Sequence, residues 1–248
     1  MPNLFVIAGP NGAGKSTSAP ELLTGARRVD EFVNADVIAS ERCVSDIEAG
    51  RITLRRLTEL AKERRDMAFE TTLSSHLLLP RIRAMQQAGY LFHLVFFWIP
   101  DADLAVQRVA ARVRSGGHAI PEEVIRRRYE RGLVNFFNAY APSADSWLLV
   151  DNTGRPPPRR IAWRDVGDRI YVGDNPLWTK LSARYMKPHV EEQKARPAPE
   201  RAFTSEDLID AIDRAVRAAL ARHKALRQSV VVWRDGKIVW LTPEEIEL

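Results

Sequence analysis

A glycine-rich loop directly after the first apolar run constrains this chain more than any other feature. Residues 4–8 are apolar and partly β-branched, as in a strand buried on both faces of a sheet. The next nine residues contain the eight-residue pattern G-x-x-x-x-G-K-[ST] without a mismatch. They are Gly9, Pro10, Asn11, Gly12, Ala13, Gly14, Lys15, Ser16 and Thr17. The sequence therefore predicts a strand, a phosphate-binding loop and a helix that begins at the loop.

Such a loop binds phosphate for a physical reason. Glycines let successive backbone N–H groups point at one anion, and the first turn of the following helix adds donors and partial positive charge. The pattern assigns Lys15 to the β- and γ-phosphates of a nucleotide and the hydroxyl of Ser16 to Mg²⁺. ATP and Mg²⁺ are the cofactors we expect.

Composition sets broader limits. The chain has 248 residues, of which 45% are apolar, and this is enough for a full core. Its single cysteine, Cys43, excludes an internal disulfide framework, and residues 1–9 already form a strand and its turn. We therefore expect a cytoplasmic protein without a membrane span. The net charge of +5 alone does not predict nucleic-acid binding, because phosphate-handling enzymes also need arginines.

Strand and helix signals alternate along the first two thirds of the chain. Short apolar runs predict strands at residues 4–8, 32–33, 67–69, 90–99 and 146–150, and helical patterns lie at 45–65, 77–88, 102–114 and 121–140. This alternation predicts an α/β protein of the P-loop NTPase or kinase fold, with a mainly parallel sheet and helices on both faces. In such sheets the ligand lies beyond the carboxyl ends of the strands.

Polar residues follow the predicted strands at this edge. Asp36 ends the strand that we expect to neighbour the phosphate loop, where a carboxylate could accept the proton of an acceptor hydroxyl. The alternative is an aspartate that caps a helix or turn. Glu70 could hold substrate or a Mg²⁺-bound water, or lie at a solvated strand end. Asp101, Asp151 and Asn152 follow two further strands.

An arginine-rich region resembles a lid over the nucleotide. Planar, permanently charged guanidinium groups suit the charge that spreads over the phosphoryl oxygens during transfer. Gly116 and Gly117 would form a hinge, and His118 could contact phosphate or substrate or be an ordinary loop residue. The alternative for each arginine is a solvated basic face. The arginines are Arg108, Arg112, Arg114, Arg126, Arg127, Arg128 and Arg131.

Four segments together resemble the zeta-toxin-like P-loop kinases over roughly residues 1–155. They are the loop at 9–17, FVNADVIA at 32–39, FETTLS at 69–74, and RVRSGGHAIP at 112–121 with the following Arg127-Arg128-Tyr129. The lid with its Gly-Gly-His is similar to the stand-alone branch of that family. The characterised toxins transfer the γ-phosphoryl group of ATP to UDP-N-acetylglucosamine.

The resemblance implies roles for individual residues. Lys15 and Ser16 become the ATP and Mg²⁺ residues, and Asp36 becomes the carboxylate that activates the hydroxyl. Arg112, Arg127 and Arg128 become charge stabilisers, and the substrate side is assigned to Asn34, Glu70, Thr71 and His118. The resemblance also implies a small-molecule acceptor, with UDP-N-acetylglucosamine as the leading choice, and an antitoxin protein as a possible partner.

The chain is expected to divide into a kinase core at 1–175, with the lid at about 108–138, and an appendage at 176–248. The appendage comprises a linker at 187–201, an amphipathic helix at 204–225 and a β-hairpin around Asp235-Gly236. Trp233 and Trp240 are expected to pack rather than to stack on bases.

Two other classes of function stay open at this point. One is a regulatory ATPase in which the loop binds nucleotide and the C-terminal region binds protein. The other is a nucleoside kinase or polynucleotide-end kinase. Asp36 and the lid favour a phosphotransferase, because a nucleotide switch needs neither.

Overall fold

A seven-stranded sheet places the phosphate loop at the centre of the protein. The computed structural model describes residues 1–19, 29, 31–154, 158–167, 169–187 and 204–248. The strand order is β2-β3-β1-β4-β5-β6-β7, in which the first five strands run parallel and β6 and β7 are antiparallel to their neighbours. The strands are β1 (Asn3–Ala8), β2 (Glu31–Val33), β3 (Met67–Thr71), β4 (Leu91–Trp98), β5 (Ser146–Asp151), β6 (Arg159–Arg164) and β7 (Tyr171–Val172). The predicted α/β fold with a mainly parallel sheet is confirmed.

Helices connect the parallel strands. Side-chain caps fix the residue at which several of these helices begin. Asp101 Oδ1, for example, accepts a hydrogen bond from the backbone N–H of Leu104 at 2.8 Å. The described helices are α1, seen over residues 15–19, α2 (Ala35–Arg42), α3 (Asp46–Lys62), α4 (Leu79–Gln87), α5 (Ala102–Arg114), α6 (Glu122–Asn135), α7 (Ala141–Ser143), α8 (Asn175–Tyr185) and α9 (Ser205–Ala225), with a π-helical turn at Phe136–Tyr140. None of these described helices is long and apolar enough to cross a membrane.

The core lies on both faces of the central strands. Every residue of β1, β4 and β5 is buried, as expected of a parallel sheet covered on both faces. Helix α6 is fixed to this core, because the Tyr129 hydroxyl donates to the Ile99 carbonyl at 2.8 Å. Asn135 donates to the Leu73 carbonyl at 2.6 Å. The same helix is thereby joined to the segment that follows β3.

Three features differ from the sequence-based expectations. Strand β2 was predicted to neighbour β1, but β3 lies between the two strands. Helix α2 occupies residues that were interpreted as a strand end, and helix α8 was not predicted. Both helices do carry start signals: Asn34 Oδ1 accepts from the N–H of Val37 at 3.4 Å, and Asp174 Oδ1 accepts from that of Leu177 at 3.1 Å.

The C-terminal helix and hairpin form as predicted. Strands β8 (Val230–Arg234) and β9 (Lys237–Leu241) pair around Asp235 and Gly236, whose φ angles of 51° and 78° fit a type I′ turn. Of the two tryptophans, Trp240 lies beneath the Arg114 guanidinium, 4.5 Å from the ring centroid. Apart from Lys187, the predicted linker at 187–201 lies outside the described residues, and the division at 175 stays a prediction.

A buried histidine should make stability depend on pH. His93 contacts Ser146 Oγ at 2.7 Å and Asn3 Oδ1 at 3.1 Å, and burial lowers its pKa to about 4. Between pH 6.5 and 4 the unfolded chain binds a proton at His93 that the folded chain does not, so stability falls as the pH falls. We expect His93 to lower the free energy of unfolding by about 3 kcal/mol between pH 6.5 and 4, as measured by urea denaturation.

The variants H93Q and H118Q separate this effect from general acid denaturation. H93Q should remove His93's share of the pH dependence, whereas H118Q, at an exposed histidine, should retain it. Identical slopes for the three proteins would contradict the assignment.

Candidate active site

The backbone of the phosphate loop has a positive φ, which favours glycine, at Gly9, Gly12 and Gly14. Gly9 has a φ of 143°, and a Cβ there would collide with the Phe97 carbonyl oxygen. Gly14 has a φ of 85°, and a Cβ there would lie 2.6 Å from Asn152 Nδ2. Asn152 Nδ2 also donates to the Ala13 carbonyl at 2.7 Å. The residue after β5 therefore supports the loop from beneath.

Glu70 lies beside the two loop residues that were assigned to phosphate and metal. The Ser16 hydroxyl donates to the Glu70 carboxylate, at 2.8 Å from Oε2 and 3.0 Å from Oε1. Lys15 Nζ lies 3.7 Å from Glu70 Oε1 and donates to the Pro10 carbonyl at 2.9 Å. The side chains of Lys15 and Glu70 are only 6% and 9% exposed. This cluster forms because β3 neighbours β1, with Thr71 opposite Ala8 in the register.

Asn34 extends this cluster toward α2. Its Nδ2 donates to Glu70 Oε2 at 3.1 Å, while its Oδ1 caps α2. Asp36 is the second residue of α2, and its side chain lies outside the described part of the structure. Thr71 Oγ1 accepts from the N–H of Leu73 and so shapes the end of β3. Asn34 thus connects Glu70 with the helix that carries Asp36.

A cavity of about 370 Å³ opens over the phosphate loop. Its polar side includes Lys15, Ser16, Glu70, Arg112 and Asn152. Its other side is formed by α9 and β8, which the sequence had assigned to an appendage of undefined role. Their patterns predicted a helix and a hairpin, but no local signal indicated where these would pack.

Arg108 lies at the base of this cavity and is half-buried. Its guanidinium donates to the carbonyls of Gly12 at 3.3 Å, Asn152 at 2.9 Å, Thr153 at 2.8 Å and Val231 at 2.9 Å. Burial lowers the pKa of Arg108 to about 10, while the Asp151 carboxylate acts in the opposite direction. The group stays charged at neutral pH and joins the loop, the end of β5 and the hairpin.

The other predicted lid residues lie in different surroundings. Arg112 lines the cavity, and its Nη2 donates to the carbonyl of the exposed His118 at 3.0 Å. Arg127 and Arg128 lie on α6 and are not among the described residues that line the cavity. Of the lid predicted at 108–138, the inner face of α6 is buried and Arg108 is half-buried, while the connection at 115–121 is mostly exposed. The structure brings Arg112, Lys15, Ser16 and Glu70 to one cavity.

The residues beside the loop suit Mg²⁺. This cation takes oxygen ligands, keeps several waters, and is usually bound through one or two protein groups plus substrate phosphates. Ser16 Oγ and the Glu70 carboxylate supply such oxygens within hydrogen-bond distance of each other. Among the residues that the structure describes, no group of three or more His, Cys, Asp or Glu residues could hold a metal by itself. The donor set therefore fits a cation that is shared with phosphate oxygens.

Comparison with known proteins assigns the family. The AAA_33 family, described as an AAA domain, matches residues 4–133, so the chain belongs to this family. A relative in Haemophilus influenzae, an uncharacterised protein, is 30% identical over 126 residues. The alignment covers 49% of this chain and 88% of that protein. About half of this chain therefore lies outside that alignment.

Solved structures share the fold over most of the chain. A crystal structure of AvrRxo1-ORF1:-ORF2 with ATP has a TM-score of 0.55 and 18% identity, covering 90% of this chain and 80% of that one. The PezAT chromosomal toxin–antitoxin system of Streptococcus pneumoniae has a TM-score of 0.52 and 11% identity, covering 89% and 88%. At these identities the likeness bears on the fold alone.

Replacing Arg108 should destabilise the folded protein at the base of the cavity. R108M keeps an apolar stem but removes the donors of the four carbonyls, so we expect a loss of about 3 kcal/mol in the free energy of unfolding. Urea denaturation measures it. The control R126M removes an arginine with exposed ion pairs to Asp103 and Glu122 and should change stability little. Equal effects of the two variants would exclude the structural role of Arg108.

Proposed function

We propose that this protein is an ATP-dependent phosphotransferase that moves the γ-phosphoryl group of ATP to a hydroxyl of a small-molecule acceptor. A second cavity beside the phosphate-loop cavity is the observation that carries the proposal. It measures about 490 Å³ and lies between β2, α2 and α3. Asn34 lines this second cavity and hydrogen-bonds to Glu70, which lines the first. Two adjacent cavities suit a donor and an acceptor, whereas a nucleotide switch needs only one.

The residues of the cluster have distinct roles in this proposal. Lys15 holds the β- and γ-phosphates, and Ser16 with Glu70 holds Mg²⁺, which supplies charge neutralisation at the phosphates when it is bound. Asp36 accepts the proton of the acceptor hydroxyl, since α2 begins at the wall of the second cavity. Arg112 stabilises the charge that spreads over the phosphoryl oxygens. Asn34 keeps Glu70 and the start of α2 in a fixed relation.

We infer a nucleotide sugar as the acceptor, with UDP-N-acetylglucosamine as the leading choice. Arg42 and Arg55 line the second cavity, and guanidinium groups match the oxygens of a diphosphate. Arg56 lines it too but is ion-paired with Glu31 and Glu59. Apolar side chains such as Phe32 and Ile52 line it as well and could contact a base or sugar ring. Its volume is within the range of small-ligand sites. The resemblance to zeta-toxin-like kinases leads to the same acceptor.

An antitoxin protein is part of the same proposal. The resemblance to zeta-toxin-like kinases motivates it, and a structural neighbour belongs to a toxin–antitoxin system of Streptococcus pneumoniae. An antitoxin would be expected to cover the cavities and so prevent phosphoryl transfer.

An assay with γ-labelled ATP tests the activity. Panels of UDP-sugars, nucleosides and polynucleotide ends are incubated with the protein and Mg²⁺, and we expect the label to be transferred to UDP-N-acetylglucosamine. Transfer to another small hydroxyl compound would retain the kinase and replace the acceptor. ATP hydrolysis without transfer to any acceptor would instead favour a regulatory ATPase.

The variants D36N and E70Q distinguish the proposed roles of the two carboxylates. D36N should lower kcat about 10² to 10⁴-fold while leaving ATP affinity unchanged, because it removes only the proton acceptor. E70Q should weaken Mg²⁺-dependent ATP binding, because it removes the carboxylate beside Ser16. The control E123Q, at an exposed residue of α6 that lines neither cavity, should behave like the wild type. A D36N protein with unaltered turnover would refute the role of Asp36.

A further inference from the structure

The C-terminal helix and hairpin complete the cavity over the phosphate loop. Apolar side chains of α9 and β8 form the wall opposite the polar cluster. The apolar wall residues are Val216, Ala219, Leu220, Val230 and Val232, and His223 and Ser229 also line the cavity on the C-terminal side. The site is therefore polar at one end, where the loop lies, and mainly apolar at the other.

This wall is held against the nucleotide loop by direct hydrogen bonds. The backbone N–H of Trp233 donates to the Thr153 carbonyl at 3.0 Å, and Arg108 donates to the Val231 carbonyl at 2.9 Å. Because Arg108 also donates to Gly12, one guanidinium fixes both sides of the cavity. Arg114 over the Trp240 ring adds a contact farther along α5. The wall is thus part of the site rather than a separate module that happens to lie near it.

The division into two ends has a chemical meaning. Phosphate groups need N–H donors and positive charge, which the loop supplies. A planar base instead gains from apolar contact and from exclusion of water, and small-molecule sites are lined mainly by such side chains. With phosphates on Lys15, the apolar side chains of α9 and β8 remain for the base.

We propose that the C-terminal unit of α9 and the β8–β9 hairpin forms the base-binding wall of the nucleotide site. The inference rests on the proposed function, because it takes the ligand of the loop to be ATP. It deepens that function by assigning nucleotide affinity to a part of the chain beyond the family match at residues 4–133. Base binding and docking of the C-terminal unit then stabilise each other.

The substitution A219F tests the wall in the full-length protein. A phenyl ring at 219 would fill the apolar end of the cavity, so the Kd for ATP measured by calorimetry should rise about tenfold or more. Inorganic tripolyphosphate lacks a base and should bind with unchanged affinity. The matched control A218F adds the same ring at an exposed position of the same helix and should leave both affinities unchanged.

A second measurement does not depend on a variant that folds. In the wild-type protein, a non-hydrolysable ATP analogue should slow amide hydrogen exchange in residues 216–220 and 230–232 more than tripolyphosphate does. Equal exchange with the two ligands, or equal ATP affinity of folded A219F and A218F, would overturn the inference. Wild-type protein that binds neither ligand would overturn both proposals. Base-dependent binding without transfer to any acceptor would leave the wall in place and refute only the phosphotransferase.

Discussion

The position of β1 between β3 and β4 is the constraint on which the site depends. Parallel pairing on both sides aligns Ala8 with Thr71 and with Phe96, so the ends of three strands meet where the phosphate loop begins. The pairing of β3 with β1 brings Glu70 to Ser16 and Lys15, although 54 residues separate it from Ser16. The loop supplies donors, and the register of the sheet supplies the carboxylate.

Arg108 extends this arrangement to the C-terminal part of the chain. Removing the Arg108 guanidinium from water is costly, and hydrogen bonds to four carbonyls together with the nearby Asp151 carboxylate offset the cost. Those carbonyls belong to the phosphate loop, the segment after β5 and the hairpin. A loosely docked hairpin would leave part of this charge without partners. The position of the C-terminal unit is therefore tied to the shape of the nucleotide loop.

Much of the fold follows from local sequence patterns. The parts that do not follow from them have one physical cause in common. The loop, the strand at β4 and the Asp235-Gly236 turn each depend on neighbouring residues, so the sequence predicts them. Strand order depends on crossovers instead, and nothing local indicated that β3 separates β2 from β1. Arg108 and Arg112 are four residues apart on one face of α5, yet only Arg108 is covered by the hairpin. The predicted roles of individual site residues stay predictions.

The charge balance at Glu70 links nucleotide and cation in the proposed reaction. A triphosphate held by the loop would bring negative charge close to a carboxylate that is only 9% exposed, where solvent screens repulsion poorly. Lys15 lies 3.7 Å from Glu70 Oε1 and could not neutralise both groups alone. A divalent cation held by Ser16 and Glu70 would supply the positive charge that offsets this repulsion. ATP binding should therefore be strongly coupled to Mg²⁺, and the carboxylate at the end of β3, rather than the loop alone, would create that coupling.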